Sequence, residues 1–308
     1  MALIYNDAYG IKCSAAYECI KDALYPIIGK IKRGISEKKA LSTTQLTLGS
    51  NDITNLDFLE FFPNLKELTL YSKKLSNIDG LRYVSQLTSI ALMSDWPGTI
   101  DISAIGNCKD LILLDLSYID SSESLDLDSP SNVDIKGLDV LAQLSDIESL
   151  SLYYMGIKNI NFVKKMTKLE DADLSGNHIT DFSPLCNHPT LELLDLSYCG
   201  ITNISFLSQM PTLQMLNLEG NNISDFTPLQ DHPAIAELDL ADCGLTNISF
   251  ITRIPTLTNL CLDFNEIEDF SPLKELEYLE CISAEDNELS LHEIERWKAE
   301  LGLDEMNF

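Results

Sequence analysis

Positive charge is what this chain most lacks. Its 308 residues include 48 Asp and Glu but only 21 Lys and Arg, a net charge of −27. The shortage is local. Residues 1–64 carry seven of each sign, so residues 65–308, with 41 acidic and 14 basic residues, hold the whole excess. A surface so negative repels phosphate backbones and anionic lipid; the expectation is no nucleic acid, no membrane and, if any partner, a basic protein. Long apolar runs are missing too: none approaches the ~18 residues of a membrane span. The opening "MALIYNDAYGIKC" has no basic leader followed by an apolar stretch, so a cytoplasmic location is expected.

The vocabulary of catalysis is equally thin. There is no phosphate-cradling glycine loop, no G-x-S-x-G and no H-E-x-x-H, so neither catalytic residues nor a cofactor is expected. The four histidines are His178, His188, His232 and His292. His188 and His232 each precede a proline at the same point of a repeat, which reads as copying rather than metal ligation. Cys186 and His188 would make half of a zinc site with no second pair to complete it, so no metal is expected. The eight cysteines are scattered rather than framed, as befits reduced thiols in a cytosol.

What the chain has instead is repetition. "CGITNISFLSQMPT" at 199–212 returns as "CGLTNISFITRIPT" at 243–256, identical at nine of fourteen positions and 44 residues apart. Segments begin at Ile147, Leu169, Leu191, Leu213, Ile235, Leu257 and Leu279, every step being 22 residues. Upstream the frame starts at Thr43, Leu65, Leu87 and Leu111, which makes eleven segments. The frame places apolar residues at positions 1, 4, 6, 11, 14 and 17, as in Leu191, Leu194, Leu196, Ile201, Ile204 and Leu207. Positions 4 and 6 alternate, so both point inward from one short strand. Positions 11, 14 and 17 bring a return segment back over the same core. One segment cannot bury its own apolar face, so neighbours must stack.

Position 9 carries Asn51, Asn177, Asn221, Asn265 and Asn287 in some segments, and Cys199 and Cys243 in others. A small residue there is expected to turn inward at the strand end, with Asn serving buried backbone groups and Cys filling the slot. "DFSPL" or "DFTPL" follows Asn177, Asn221 and Asn265 and "NISF" follows the cysteines, so the copied unit is a 44-residue pair. Prolines keep the frame at position 16 (Pro184, Pro228, Pro272) and position 21 (Pro63, Pro189, Pro211, Pro233, Pro255), marking the convex return path.

The pattern L-x-x-L-x-L-x-x-[N/C]-x-[L/I] is that of a leucine-rich repeat. The segments resemble the 22-residue repeats of the bacterial internalin-like class; "NISDFTPLQDHPAIAELDL" is close to its usual wording. The expected fold is therefore an α/β, right-handed leucine-rich repeat solenoid, a horseshoe with a parallel β-sheet on its concave face and helical caps at both ends. The expected organisation is a helical N-terminal cap at 1–42, repeats at 43–289 with an insertion at 120–133, and a C-terminal helical cap at 290–308. At the N-terminus Ile20, Leu24, Ile27 and Ile31 give a helical stripe, with Pro26 kinking it. At the C-terminus Ser290 and Glu293 form a capping box, Ile294, Trp297 and Leu301 a stripe, and Gly302 a stop. The resemblance implies a protein-binding function on the concave strand face.

That face should be read from positions 3, 5, 7 and 8, none of which is Lys or Arg in any segment. Position 5 includes Asp115, Asp173, Asp195, Asn217 and Asp239, with Glu219 and Asp263 beside it at position 7. Aromatics gather at Tyr118, Tyr153, Tyr154, Tyr198 and Phe264. "LDLS" is stock wording for these repeats, so the Asp row has a purely solubilising reading as well as a binding one. Exposed Tyr among carboxylates tips the balance to binding. Calcium is a weaker reading, since flat parallel strands seldom converge six oxygens. The leading expectation is a non-enzymatic scaffold holding a basic protein or peptide. The alternative is a regulatory or inhibitory subunit that masks an enzyme's active site.

Overall fold

The computed structural model describes residues 3–4, 35–50, 53–96, 98–118, 133–287, 289–301 and 305–307. The N-terminal stripe, Asn51, Gly302 and all but the last residue of the 120–133 insertion lie outside them. The chain divides into two compact units, Met1–Ile157 with Asn161–Leu169, and Lys158–Ile160 with Glu170–Phe308.

In the first unit β1 (Leu3–Ile4) pairs antiparallel with β2 (Ile35–Ser36), and a short helix α1 (Glu37–Ser42) follows. Strands β3 (Gln45–Gly49), β4 (Glu67–Ser72) and β5 (Ser89–Ser94) then run parallel, each 22 residues from the last, as Gln45↔Glu67↔Ser89 shows. β6 (Thr99–Asp101) leaves the row. β7 (Leu113–Asp115) pairs with β5, β8 (Asp134–Lys136) pairs with β6, and β9 (Ser149–Ser151) pairs with β7. β6 and β8 thus form a separate two-stranded sheet. In the second unit β10 (Asp171–Asp173), β11 (Leu193–Asp195), β12 (Met215–Asn217), β13 (Glu237–Asp239), β14 (Asn259–Cys261) and β15 (Cys281–Ser283) are parallel neighbours in chain order. β16 (Glu305–Asn307) extends the row beside β15.

The register is the repeat frame itself: Leu194 sits opposite Leu216, and Leu216 opposite Leu238. Position 1, 4 and 6 leucines are sealed in the core, as are Ile201, Ile204 and Leu207 on the return path. The return segments are 3₁₀ turns such as Ser205–Gln209 and Ser249–Arg253; α1 and α2 (Leu291–Leu301) are the α-helices among the described residues. Twenty-two residues leave too little chain for a strand, two corners and an α-helix, and the tighter turn takes the space. Position 13 starts each turn: Asn203 Oδ1 accepts the Ser205 N–H at 2.8 Å, and Asp181 Oδ1 that of Ser183 at 2.9 Å. The N-I-S wording at Asn203 and Asn247 is this turn chemistry.

The 44-residue pairing has a physical basis. Phe182 (position 14) stacks on Phe206 (position 16 of the next repeat) at 4.7 Å and 12°. Phe226 stacks on Phe250 in the same way at 4.6 Å. The first two "DF" repeats are thus each clamped to the "SF" repeat that follows. In α2, Ser290 and Glu293 close the expected capping box, with Ser290 N to Glu293 Oε2 at 2.9 Å. Trp297 is buried edge-on against Phe270, 6.0 Å between centroids, with Arg296 and Lys274 over its ring.

Candidate functional site

The strand-face columns are held by local bonds. Asp195 Oδ1 accepts the Ser197 N–H at 2.8 Å and its hydroxyl at 2.7 Å. Asp115 and Asp173 do the same for Ser117 and Ser175, Asn217 for the Glu219 N–H, and Asp239 for the Ala241 N–H. Position 5 is therefore an Asx turn that steers the chain out of the strand. "LDLS" is stock wording because Ser at position 7 doubles that bond. The neighbouring column atom is shared: Asn217 Nδ2 donates to Asp195 Oδ2 at 3.0 Å.

All these position 5 groups are half-buried. Burial pushes the Asp195 and Asp239 carboxyls above the usual range; nearby like charges, Asp173 for Asp195, and Asp263 and Asp195 for Asp239, push the same way. On the second unit's strand face lies an open depression of ≈ 610 Å³. Its acidic lining is Asp171, Asp173, Asp195, Glu237 and Asp239; Leu193, Met215, Asn217, Asn259, Cys261, Cys281 and Ser283 also line it. Of the expected site residues, Asp173, Asp195, Asn217 and Asp239 are thus brought together. Leu193 and Met215 are additions that the acid and aromatic rows do not point to. Their signal lies in the repeat frame, since both are large apolar residues at outward position 3, and Met215 is 39% exposed.

Position 8 differs from expectation. The repeat frame makes it a fourth outward position of the strand face. From β7 onward the repeat strands β7 and β9 to β15 end at position 5, and from the repeat at Ile147 onward position 8 lies in the turn beyond with a left-handed backbone: Tyr154 (φ 55°), Tyr198 (φ 52°), Asp242 (φ 50°), Phe264 (φ 56°) and Asp286 (φ 54°), with Gly176 and Gly220 at the same place. The conformation lets the position 8 N–H reach the next repeat's position 7 carbonyl, as in Tyr198 to Glu219 O at 2.7 Å and Phe264 to Glu285 O at 2.9 Å. The aromatics there have structural roles. Tyr154 is buried at 6% exposure, with the Tyr118 and Tyr153 rings 5.4 and 6.1 Å away. The Tyr118 hydroxyl donates to Asp95 at 2.8 Å. Tyr198 lies over Gly220, where an added Cβ would collide with its ring, and donates to Glu219 Oε1 at 2.7 Å. Phe264 alone of these rings stands out, 58% exposed.

Position 9 is inward as expected. Asn221 Nδ2 donates to Leu196 O (2.9 Å) in the preceding repeat and to Leu218 O (2.8 Å) in its own, while its Oδ1 accepts the Ile201 N–H at 2.8 Å. The Cys199 thiol donates to Leu174 O and that of Cys243 to Leu218 O, both at 3.3 Å: the inter-repeat contact without the rest. Cys108, Cys199, Cys243, Cys261 and Cys281 are free thiols. Burial pushes Cys261 up to about 12, so it is a poor nucleophile although it lines the depression. His232 is a buried structural residue, its Nε2 3.0 Å from Met210 O and its Nδ1 accepting the Ile235 N–H at 3.2 Å. Among the described residues no cluster of His, Cys, Asp or Glu is arranged to hold a metal, and no helix is long and apolar enough to cross a membrane.

A parallel row of in-register strands, a 22-residue leucine frame and an inward Asn/Cys column define a leucine-rich repeat fold. Residues 189–231 match the family described as Leucine Rich repeats (2 copies). The fold is similar to an internalin (inlF) of Listeria monocytogenes, at 21% identity and TM-score 0.58, covering 98% of this chain and 96% of that one. It is similar to a leucine-rich repeat protein of Leptospira interrogans, at 19% identity and TM-score 0.52, covering 89% and 81%. It is also similar to the functional domain of InlJ from Listeria monocytogenes, said to include a cysteine ladder, at 19% identity and TM-score 0.52, covering 94% and 63%. No curated protein matches the sequence. The fold is thus that of bacterial, internalin-like leucine-rich repeat proteins.

Proposed function

We propose that the chain is a non-enzymatic protein-interaction scaffold whose strand face in the second unit holds a basic protein or peptide. The observation that carries this reading is the depression: five carboxylates around an open volume, with Leu193 and Met215 among its lining residues and no cation among them. Two of those carboxyls are already partly desolvated and mutually repelled, so an incoming ammonium or guanidinium relieves a cost that the fold carries alone. The remaining expected residues, Asp115, Tyr118, Tyr153 and Tyr154 in the first unit and Tyr198, Glu219, Asp263 and Phe264 in the second, lie outside the depression's lining. Binding by those is a separate contribution.

Labelled octapeptides alternating alanine with lysine, or alanine with glutamate, test the reading by fluorescence anisotropy. The lysine peptide should bind, and more weakly in 150 mM than in 10 mM salt as the Debye length falls from ~30 to ~8 Å. Asp171→Asn combined with Glu237→Gln, both at position 3 of the strand face, should weaken it. Equal binding of the acidic peptide, or an unaffected double variant, would overturn the reading. Bait of wild type and double variant in a native lysate then identifies the partner.

A further inference from the structure

We propose that Phe264, flanked by Asp242 and Asp286, is a receptor for an arginine side chain of the partner. The inference rests on the basic-partner reading above and makes it specific. The position 8 column explains why this ring is different. Tyr154 is buried, Tyr118 donates to Asp95, and Tyr198 lies over the glycine of the next repeat while donating to Glu219. The residue that follows Phe264 in the column is Asp286, not glycine, and the phenyl ring has no hydroxyl to tether it. It is left 58% exposed on a left-handed backbone, which an L-residue with a bulky side chain seldom adopts.

The backbone that carries the ring is nevertheless held in place. The Phe264 N–H donates to Glu285 O at 2.9 Å, and the Asp242 N–H to Asp263 O at 2.9 Å. These bonds hold the backbones of Asp242 and Phe264, and Asp286 takes the same left-handed conformation at position 8 of the next repeat. Both aspartates are exposed. Phe264 lies three residues beyond Cys261 of the depression's lining. An exposed π-face between two carboxylates complements one side chain best. A guanidinium plane stacks flat on the ring while its edge N–H groups reach a carboxylate; a lysine ammonium, a point charge, gains from the carboxylates but little from the stack.

The test compares octapeptides of equal charge, alternating alanine with arginine or with lysine, on the full chain. Wild type should prefer the arginine peptide by about two- to five-fold, the range of an exposed cation–π contact. Phe264→Leu, which keeps apolar bulk, and Phe264→Gly, which suits the backbone, should both erase that preference and leave lysine-peptide affinity and melting temperature near wild type. Tyr278→Ala removes another exposed aromatic and should change nothing. A preference surviving in both Phe264 variants overturns this inference while the basic-partner reading stands. Failure of both peptides to bind wild type overturns both readings, whereas equal binding of the two overturns this inference alone. A fall in melting temperature for both variants would make Phe264 a structural residue and sink the proposal.

Discussion

Asn221 shows how one side chain joins two repeats. Its amide satisfies carbonyls of two neighbouring strands and one backbone N–H on the return path. Asn221→Leu strips all of them, and groups left unpaired in the core should cost roughly 2–4 kcal/mol. Asn222→Leu, one residue on and exposed, should be near neutral. Asn221→Cys should fall between, because a thiol keeps the inter-repeat bond, as Cys199 and Cys243 do. Urea midpoints of the three variants check the order. The same burial governs reactivity. Thiols pushed up to about 12 at Cys108 and Cys199 and about 11 at Cys243 should resist iodoacetamide at pH 8 in the native protein and react on unfolding. Peptide mapping after brief alkylation reads this directly.

At the scale of the element, the doubled repeat and the return turns carry the expectations. If the stacked phenylalanines clamp repeats in pairs, a double-mutant cycle of Phe182→Leu and Phe206→Leu should show about 0.5–1.5 kcal/mol of coupling. The cycle of Phe206→Leu with Phe226→Leu, across the boundary between pairs, should show far less. His232 sets the acid limit of its turn. Its Nδ1 accepts and its Nε2 faces a carbonyl, and burial lowers its pKa below the ordinary 6.5. The unfolded chain therefore takes up a proton near 6.5 while the folded one does not. This contribution to stability is complete above that pH and lost as pH falls below it. His232→Gln should flatten the melting temperature between pH 7 and 5. Asp195 and Asp239 act oppositely: their carboxyls are raised, so their penalty is present above the folded pKa and fades as acid protonates them.

For the molecule as a whole, charge dominates. A net −27 repels itself, so added salt should raise the melting temperature of the free chain while weakening its hold on a basic peptide. Opposite slopes in one buffer series would connect both effects to the same carboxylates; parallel slopes would separate them.

The sequence by itself determined the repeat frame, the strand register and the inward column at position 9. Those follow from a 22-residue spacing of leucines that has one way to bury itself, by stacking in register. It also showed the acid row, though not what the row does. Only the folded distances reveal position 5 as an Asx turn as well as a lining of the depression. Position 8 was decided by tertiary structure. Tyr154, Tyr198 and Phe264 share one repeat position and one backbone conformation, yet one is buried, one is tethered and one is bare. The difference lies in what the adjacent repeat presents, Gly220 beneath Tyr198 and Asp286 beside Phe264. Periodicity assigns a residue its place in the repeat; its exposure depends on neighbours that stacking brings to it from 22 residues away.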